Sequence, residues 1–278
     1  MISSMRLSGR VIAITGASAG IGQAVAALAA AEGASVVISA RRVEKLTAVG
    51  TAIAAKGGTV LAVPGDVTNA DDMQALVDRA VESFGRLDVM VCNAGIGFHD
   101  AFADTPLAVA RRLVDVNLMG TLYAAHAAVI RFRQQGHGHL IAISSIVGRR
   151  GIGGSSVYSA TKAAQIAFVE GLRAEFRGSA LKASVVYPIS TATEFHATIR
   201  REFGREVTAA GPRQSADEVA RAIVDCIVRP RAEVYPYSRA KLLSILSVAA
   251  PAQADRLVHR FRRRSVPSGP DGDPGDDR

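Results

Sequence analysis

Short apolar runs alternate with helix-like stretches along this chain, and no other feature limits its possible folds as strongly. The runs are RVIAIT (10–15), SVVIS (35–39), TVLAV (59–63), DVMVC (88–92), HLIAIS (139–144) and KASVVY (182–187), with AEVYP (232–236) as a candidate seventh. Most are nearly continuous hydrophobics, the pattern of strands covered on both faces of a parallel sheet. Helical stretches lie between them, among them 20–31, 43–55, 70–84, 106–133 and 155–177. Strand–helix–strand alternation at this spacing implies right-handed crossovers. The expected fold is therefore α/β: one doubly wound, Rossmann-type, mostly parallel sheet of about seven strands with helices on both faces. Hydrophobic residues make up 49% of the 278, charged residues 21% and aromatics 5%, with no Trp. That composition excludes collagen, a coiled coil and wholesale disorder, and leaves a core built from aliphatic side chains.

The first run ends in Thr15-Gly16-Ala17-Ser18-Ala19-Gly20-Ile21-Gly22, directly before an Ala-rich helix. Glycines there let the backbone turn tightly and approach a pyrophosphate, while the helix N-terminus supplies free N–H groups and a positive dipole end. Many glycine-rich turns are only turns; the position between first strand and first helix favours dinucleotide binding. The end of the second run points to the cofactor. NAD sites usually carry an acid there for the ribose 2′-hydroxyl, whereas here Ala40-Arg41-Arg42 follow, with no acid until Glu44. Guanidinium groups pair with a phosphate in a bidentate way, so Arg41 and Arg42 predict NADP(H), with Arg41 as the discriminator.

Tyr158 and Lys162 are four residues apart in a helical stretch and share a face, so the ammonium lies near the phenol. A neighbouring cation favours the phenolate, which suits proton transfer at a carbonyl oxygen. Tyr237 and Lys241 have the same spacing but lack the context. Only the first pair has a serine thirteen residues upstream at a strand end, Ser145; Val224 holds that place for the second.

Taken together, these residues resemble the short-chain dehydrogenase/reductase family, in its compact single-domain form. The matching pieces are TGASAGIG (15–22), Asp66-Val67, Asn93-Ala94-Gly95, Asn117 in DVNLMG, Ser145 in ISS and Tyr158-Ser-Ala-Thr-Lys162, in order across roughly residues 8–235. The resemblance implies Tyr158 as general acid/base, Ser145 as the donor to the substrate oxygen, and Lys162 as the residue that binds the nicotinamide ribose and lowers the Tyr158 pKa. It implies that Asn117 holds a water in a proton relay. Between Ser144 and Ser145, the spacing to Tyr158 favours Ser145. The resemblance further implies that Gly16, Ser18, Gly20, Ile21 and Gly22 line the cofactor, that Asp66 and Val67 contact the adenine, and that Asn93, Ala94 and Gly95 sit beside it. Tyr158, Lys162, Pro188 and Thr193 complete that set. One departure stands out: the family usually has Pro-Gly after the sixth strand, and here the residues are Pro188-Ile189, with Thr193 in the matching threonine position. A β-branched residue resists positive φ.

These features predict an NADP(H)-dependent oxidoreductase interconverting a ketone or aldehyde and an alcohol. The competing class is a cofactor-binding sensor or scaffold without turnover, which Ile189 and the C-terminal extension would suit. The presence of both Tyr158 and Lys162 weighs against it. Residues 6–237 are the expected catalytic domain, 238–264 a basic helical extension and 265–278 a disordered tail rich in Pro, Gly and Asp. Segment 189–211 lacks an apolar period and reads as a long mobile loop. With 97–105 and 149–154 it would shape the substrate pocket, where Phe98, Phe102, Ile152, Phe195 and Ile199 hint at an apolar ligand.

The net charge is +8, from 33 basic and 25 acidic residues. Arg256, Arg260, Arg262, Arg263 and Arg264 concentrate it beyond the apolar stretch 238–250, so peripheral contact with an anionic membrane is one reading of 238–264. Packing on the domain or on a subunit partner is the favoured one. Nucleic acid fits poorly, because Phe261 alone interrupts the cluster with an aromatic. Two cysteines without metal-ligand spacing and no signal-peptide core suggest a reducing, cytoplasmic setting. The family resemblance implies a homodimer or homotetramer.

Overall fold

The computed structural model describes residues 5–192, 194, 203, 212–250 and 252–253. Seven strands form one parallel sheet: β1 (Val11–Thr15), β2 (Ser35–Ala40), β3 (Thr59–Pro64), β4 (Val89–Cys92), β5 (Gly138–Ile143), β6 (Leu181–Val186) and β9 (Glu233–Val234). Their order is β3-β2-β1-β4-β5-β6-β9. The chain moves outward from β1 to β3, then returns to place β4 on the other side of β1, so the crevice between β1 and β4 opens where the winding reverses. Two short strands, β7 (Thr191–Ala192) and β8 (Gln214–Ser215), pair separately and in parallel.

The continuous apolar runs are explained by burial on both faces. Ile12 and Ile14 of β1 face one core with Val36 and Ile38 of β2, Val89 and Val91 of β4, and Ile141 and Ile143 of β5. Their neighbours Val11, Ala13, Val37, Met90, Cys92, Leu140 and Ala142 face the other. Successive side chains of a strand point to opposite faces, so a strand covered twice has no polar position to spare. The first core is closed by α1 (Gly20–Ala31), α2 (Val43–Ala54) and α8 (Ala216–Val228), the second by α3 (Ala70–Phe84), α5 (Gly120–Gln135) and α7 (Ser156–Glu175). Edge strand β3 is the exception: none of its residues is fully buried, and it ends on Pro64. Proline at the edge withholds a donor from further pairing.

The stretch expected as one helix over 106–133 is interrupted. After α4 (Leu107–Leu113) comes one π-helical turn, Val114–Met119, before α5 continues. By length and composition Leu107–Gln135 is apolar enough to cross a membrane, yet half of its most apolar window is buried inside the protein. Its hydropathy is that of a core helix. Helix α8 adds an element to those read from the apolar pattern, and its start carries a capping box: Ser215 Oγ accepts from the Glu218 N–H while the Glu218 carboxylate accepts from the Ser215 N–H. A one-turn helix, α6 (Ile146–Arg149), follows β5. Helix α9 (Ser238–Ala249) keeps Ala240 and Ser244 inward and turns Leu242, Ile245 and Leu246 outward. The arginine cluster 256–264, the tail 265–278 and most of 193–211 lie outside the described residues.

At the amino edge of the sheet, opposite the strand ends that carry the motifs, Asp88 holds three strands in register. Its fully enclosed carboxylate accepts from the Val11 N–H (2.9 Å), from Arg86 Nε and Nη2 (3.0 and 2.6 Å), and lies 3.1 Å from His137 Nε2. Its backbone pairs with Val11 and His139. An alanine at position 88 strands a buried N–H and removes the acceptor of Arg86. Asp88→Ala should therefore cost about 2–3 kcal/mol of stability, measured as a lower urea midpoint at unchanged slope.

Candidate active site

All seven strands of the sheet run the same way, so their carboxyl ends share one edge, and the loops leaving β1, β2, β4, β5 and β6 meet there. The turn after β1 is held from the β4 side. Asn93 Nδ2 donates to the carbonyls of Thr15 (2.9 Å) and Gly16 (3.1 Å), while Thr15 Oγ1 accepts from the N–H groups of Asn93 and Ala94, both at 3.1 Å. This clamp explains two of the glycines. Gly16 has φ +66°, and a Cβ there would lie 2.7 Å from Ala94 Cα; one on Gly22 would lie 2.5 Å from Asn93 Nδ2 and 2.7 Å from the Gly16 carbonyl. Loop-on-loop packing thus requires glycine at both positions. Helix α1 begins on Ala19 with no side-chain cap and no acid in its first turn. Its first N–H groups therefore have no side-chain acceptor, the donor set that a pyrophosphate needs. On this chemistry the residues present fit a dinucleotide.

The two arginines after β2 part company. Arg41 is exposed and pairs loosely with Asp66, Nη1 to Oδ2 at 3.9 Å. Burial opposes ionisation of Asp66, yet two hydrogen bonds from Thr68, with Arg41 and Arg112 nearby, hold its carboxyl below the usual value. Arg42 turns the other way. Its Nε and Nη2 donate to the buried Ser18 Oγ (3.2 and 3.0 Å), and its Nη1 donates to Glu194 (3.0 Å). Lys45, in the first turn of α2, donates to both Glu194 oxygens at 2.7 and 2.9 Å. Lys45 and Glu194 went unread in the sequence; a cation one helical turn beyond Arg41-Arg42 was the available signal. Val67 is buried beneath the same edge, against Gly120 at the start of α5.

Across the β1–β4 crevice, Ser145 leaves β5 as the N-cap of α6 and Tyr158 and Lys162 face it from α7. The two adjacent serines have different partners: Ser144 Oγ donates to the Lys162 carbonyl (2.8 Å), and Ser145 hydrogen-bonds the Tyr158 phenol. Tyr158 is half-buried, but its hydroxyl end is enclosed, and this pushes the phenol up to about 12 despite the Ser145 bond. Lys162 is buried and its Nζ lies 5.8 Å from the centre of the Tyr158 ring. Burial pulls the ammonium down to about 7. The sequence argument had the cation lowering the phenol; here burial pushes both groups toward their neutral forms.

The lysine is held by residues the sequence did not single out. Its Nζ donates to the Ile143 carbonyl (2.9 Å) and to Gln165 Oε1 (3.1 Å). Gln165 Nε2 in turn donates to the Asn117 carbonyl (2.8 Å) and to Thr121 Oγ1 (2.7 Å). The Asn117 side chain, in the π-helical turn, is spoken for: Oδ1 accepts from the Ile96 N–H (2.8 Å), and Nδ2 donates to the Ile96 carbonyl (2.9 Å) and to Thr161 Oγ1 (3.1 Å). Asn117 thus locks the loop after β4 to α7, and its main-chain carbonyl connects through Gln165 to Lys162. Gly95 lies beside the same group, and a Cβ there would approach Asn117 Oδ1 at 3.2 Å and Lys162 Nζ at 3.5 Å.

Pro188 accepts at its carbonyl from the Ile146 N–H (3.1 Å) and from Ser145 Oγ (3.4 Å). Ile189 needs no glycine conformation, since among the described residues no non-glycine has positive φ, and its N–H donates to Gln214 Oε1 at 3.2 Å. Thr193, Phe195 and Ile199 lie outside the described residues. Of the other pocket candidates, Phe98 is buried edge-on against Phe203 (5.3 Å between ring centres), Phe102 is exposed and Ile152 half-buried. His99, next to Phe98, contacts Ser155 Oγ through Nδ1, with its ring 6.4 Å from that of Tyr158.

A glycine turn clamped at the switch point of a parallel sheet, facing a serine–tyrosine–lysine group, is the arrangement of a dinucleotide-fold protein. The chain belongs to the short-chain dehydrogenase family, whose model matches residues 10–203. It is 38% identical over 202 residues to an uncharacterized oxidoreductase of Listeria innocua, covering 70% of this chain and 79% of that one. A short-chain dehydrogenase from Burkholderia cenocepacia solved in complex with NADP superposes with a TM-score of 0.71 at 29% identity, covering 82% and 96% of the two chains. One from Burkholderia phymatum, solved with NAD, reaches a TM-score of 0.79 over 96% and 99%; at 22% identity that likeness is one of fold.

The depressed Lys162 makes stability depend on pH with a definite sign. Its ordinary value is 10.5 and its folded one about 7, so between these limits the unfolded chain holds a proton that the folded one lacks. Stability from this residue therefore rises with pH across that window. Urea unfolding should show the gap between wild type and Lys162→Met shifting in favour of wild type from about pH 7 to about pH 10.

Proposed function

We propose that this protein is an NADP(H)-dependent oxidoreductase that interconverts a ketone or aldehyde and the corresponding alcohol. The observation that carries the reading is the hydrogen-bonded Ser145–Tyr158 pair beside the buried Lys162, at the same sheet edge as the clamped glycine turn. When bound, the nicotinamide cofactor supplies or accepts the hydride. Ser145 holds the substrate oxygen by donating a hydrogen bond that strengthens as charge develops there. Tyr158 moves the proton at that oxygen. A phenol near 12 is fully protonated at neutral pH, so in the reducing direction it is a donor already charged with its proton. Lys162, kept in place by Ile143 and Gln165, sets the field at the phenol. The α1 N-terminus with Gly16, Gly20 and Gly22 would hold the pyrophosphate, Asp66 and Val67 the adenine end, and Arg42 with Ser18 and Lys45 the 2′-phosphate. Arg42 rather than Arg41 is the favoured discriminator, because its guanidinium is already anchored on the phosphate loop. Two buried free cysteines, Cys92 and Cys226, suit a reducing, cytoplasmic setting.

Fluorescence titration of the purified protein should give NADPH an affinity at least about tenfold above that of NADH; equal affinities, or a preference for NADH, overturn the cofactor assignment. In a screen of ketones with NADPH, Tyr158→Phe should lower turnover by about 10²–10⁴-fold while leaving nucleotide binding intact, and wild-type turnover in that variant removes Tyr158 from the proton step.

A further inference from the structure

We propose that Glu194 is a specificity-determining residue of the nucleotide site, an internal carboxylate that competes with the cofactor's 2′-phosphate for Arg42 and Lys45. The inference rests on the NADP(H) reading above and deepens it.

Three elements far apart in the sequence meet at this carboxylate. Ser18 comes from the turn after β1, Arg42 and Lys45 from the start of α2, and Glu194 from just beyond β7, 152 residues past Arg42. Both oxygens are engaged, with Lys45 on each and Arg42 on one. The direction of the guanidinium is imposed from behind. Ser18 Oγ, 8% exposed as a residue, receives Nε and Nη2, which leaves the Nη1 edge to meet Glu194. The arrangement is thus a receptor for an anion, built on the phosphate loop itself and filled by the chain's own acid. Its partner cations hold the Glu194 carboxyl below its ordinary value.

The charges say which anion it suits. Arg42 and Lys45 bring two positive charges and Glu194 returns one. A phosphate monoester carries between one and a half and two negative charges at neutral pH, and it offers three oxygens to the same donors. It matches the pair better than a carboxylate does, so it can displace Glu194, and every such displacement lowers its apparent affinity. A nucleotide without the 2′-phosphate makes no claim on these cations. Glu194 therefore acts selectively on the 2′-phosphorylated cofactor. Arg41, for its part, pairs with Asp66 at 3.9 Å.

The test uses the full chain and two nucleotide fragments, 2′,5′-ADP and 5′-AMP, in calorimetric titrations of wild type, Glu194→Gln and Lys45→Met. A thermal melt of each variant reports whether the fold is intact. Expected is a gain of about three- to tenfold in 2′,5′-ADP affinity for Glu194→Gln, with 5′-AMP changed by less than about twofold, and a loss for 2′,5′-ADP in Lys45→Met. Unchanged or weaker 2′,5′-ADP binding by Glu194→Gln overturns the proposal, as does an equal gain for both fragments. Failure of the NADP(H) reading looks different: wild type then binds the two fragments alike. If Glu194→Gln creates a preference for 2′,5′-ADP in that case, the competition stands and only the wild-type cofactor assignment falls. Absence of binding by wild type for both fragments overturns both.

Discussion

Lys162 carries an amine into the protein interior, where a polar group is costly unless its hydrogen-bonding capacity is met. Much of the site follows from that requirement. The carbonyl of Ile143 at the end of β5 takes one of its donors and Gln165 another. Gln165 can turn its oxygen to the lysine because its nitrogen is occupied by Thr121 and the Asn117 carbonyl. That carbonyl is reachable because the helix locally widens into a π turn at 114–119, and such turns free main-chain carbonyls from the usual ladder. The Asn117 side chain then closes the set by binding the main chain of Ile96 and the hydroxyl of Thr161. One buried lysine thereby ties β5, α7, the π turn and the loop after β4 into a single polar unit.

The nucleotide end is built on a different constraint, the fit of one loop against another. Asn93 and Thr15 exchange hydrogen bonds between the β1 and β4 ends, leaving no room for a Cβ at Gly16 or Gly22. The motif glycines therefore serve packing within the protein as directly as they would serve a ligand. A rigid loop also gives Ser18 a fixed position, from which it aims Arg42. Charges from α2 and from the chain beyond β7 meet at this end, where Arg42 and Lys45 pair with Glu194.

Several elements were legible in the sequence because their signals are local. The seven strands of the main sheet were read to within about two residues of their ends, because most are nearly unbroken apolar runs, whereas the two-residue strands β7 and β8 have no such signal. Helix α8 went unread, although Ser-Ala-Asp-Glu at 215–218 has the capping-box spacing and an apolar pattern follows it. The π turn was not legible, because its sequence, VDVNLM, continues the surrounding helix in composition. Ile189 looked anomalous in the place of a glycine, yet Gln214 anchors its N–H in a conformation that any residue adopts.

Hydrophobic period and motif spacing by themselves determined the doubly wound sheet, its two covered faces and the residues gathered at its carboxyl edge. Each of these is a sum over many neighbouring positions, so no single contact has to be known. Only the tertiary structure decided which partner each polar side chain takes. Arg42 rather than Arg41 turns to the phosphate loop, and Ser144, beside the serine that spacing had favoured, turns to the Lys162 carbonyl. Gln165 holds the lysine, and Glu194 reaches cations 149 and 152 residues away. Hydrogen bonds and ion pairs are settled within about 3–4 Å, and distances of that kind exist only once separate stretches of chain have been packed together.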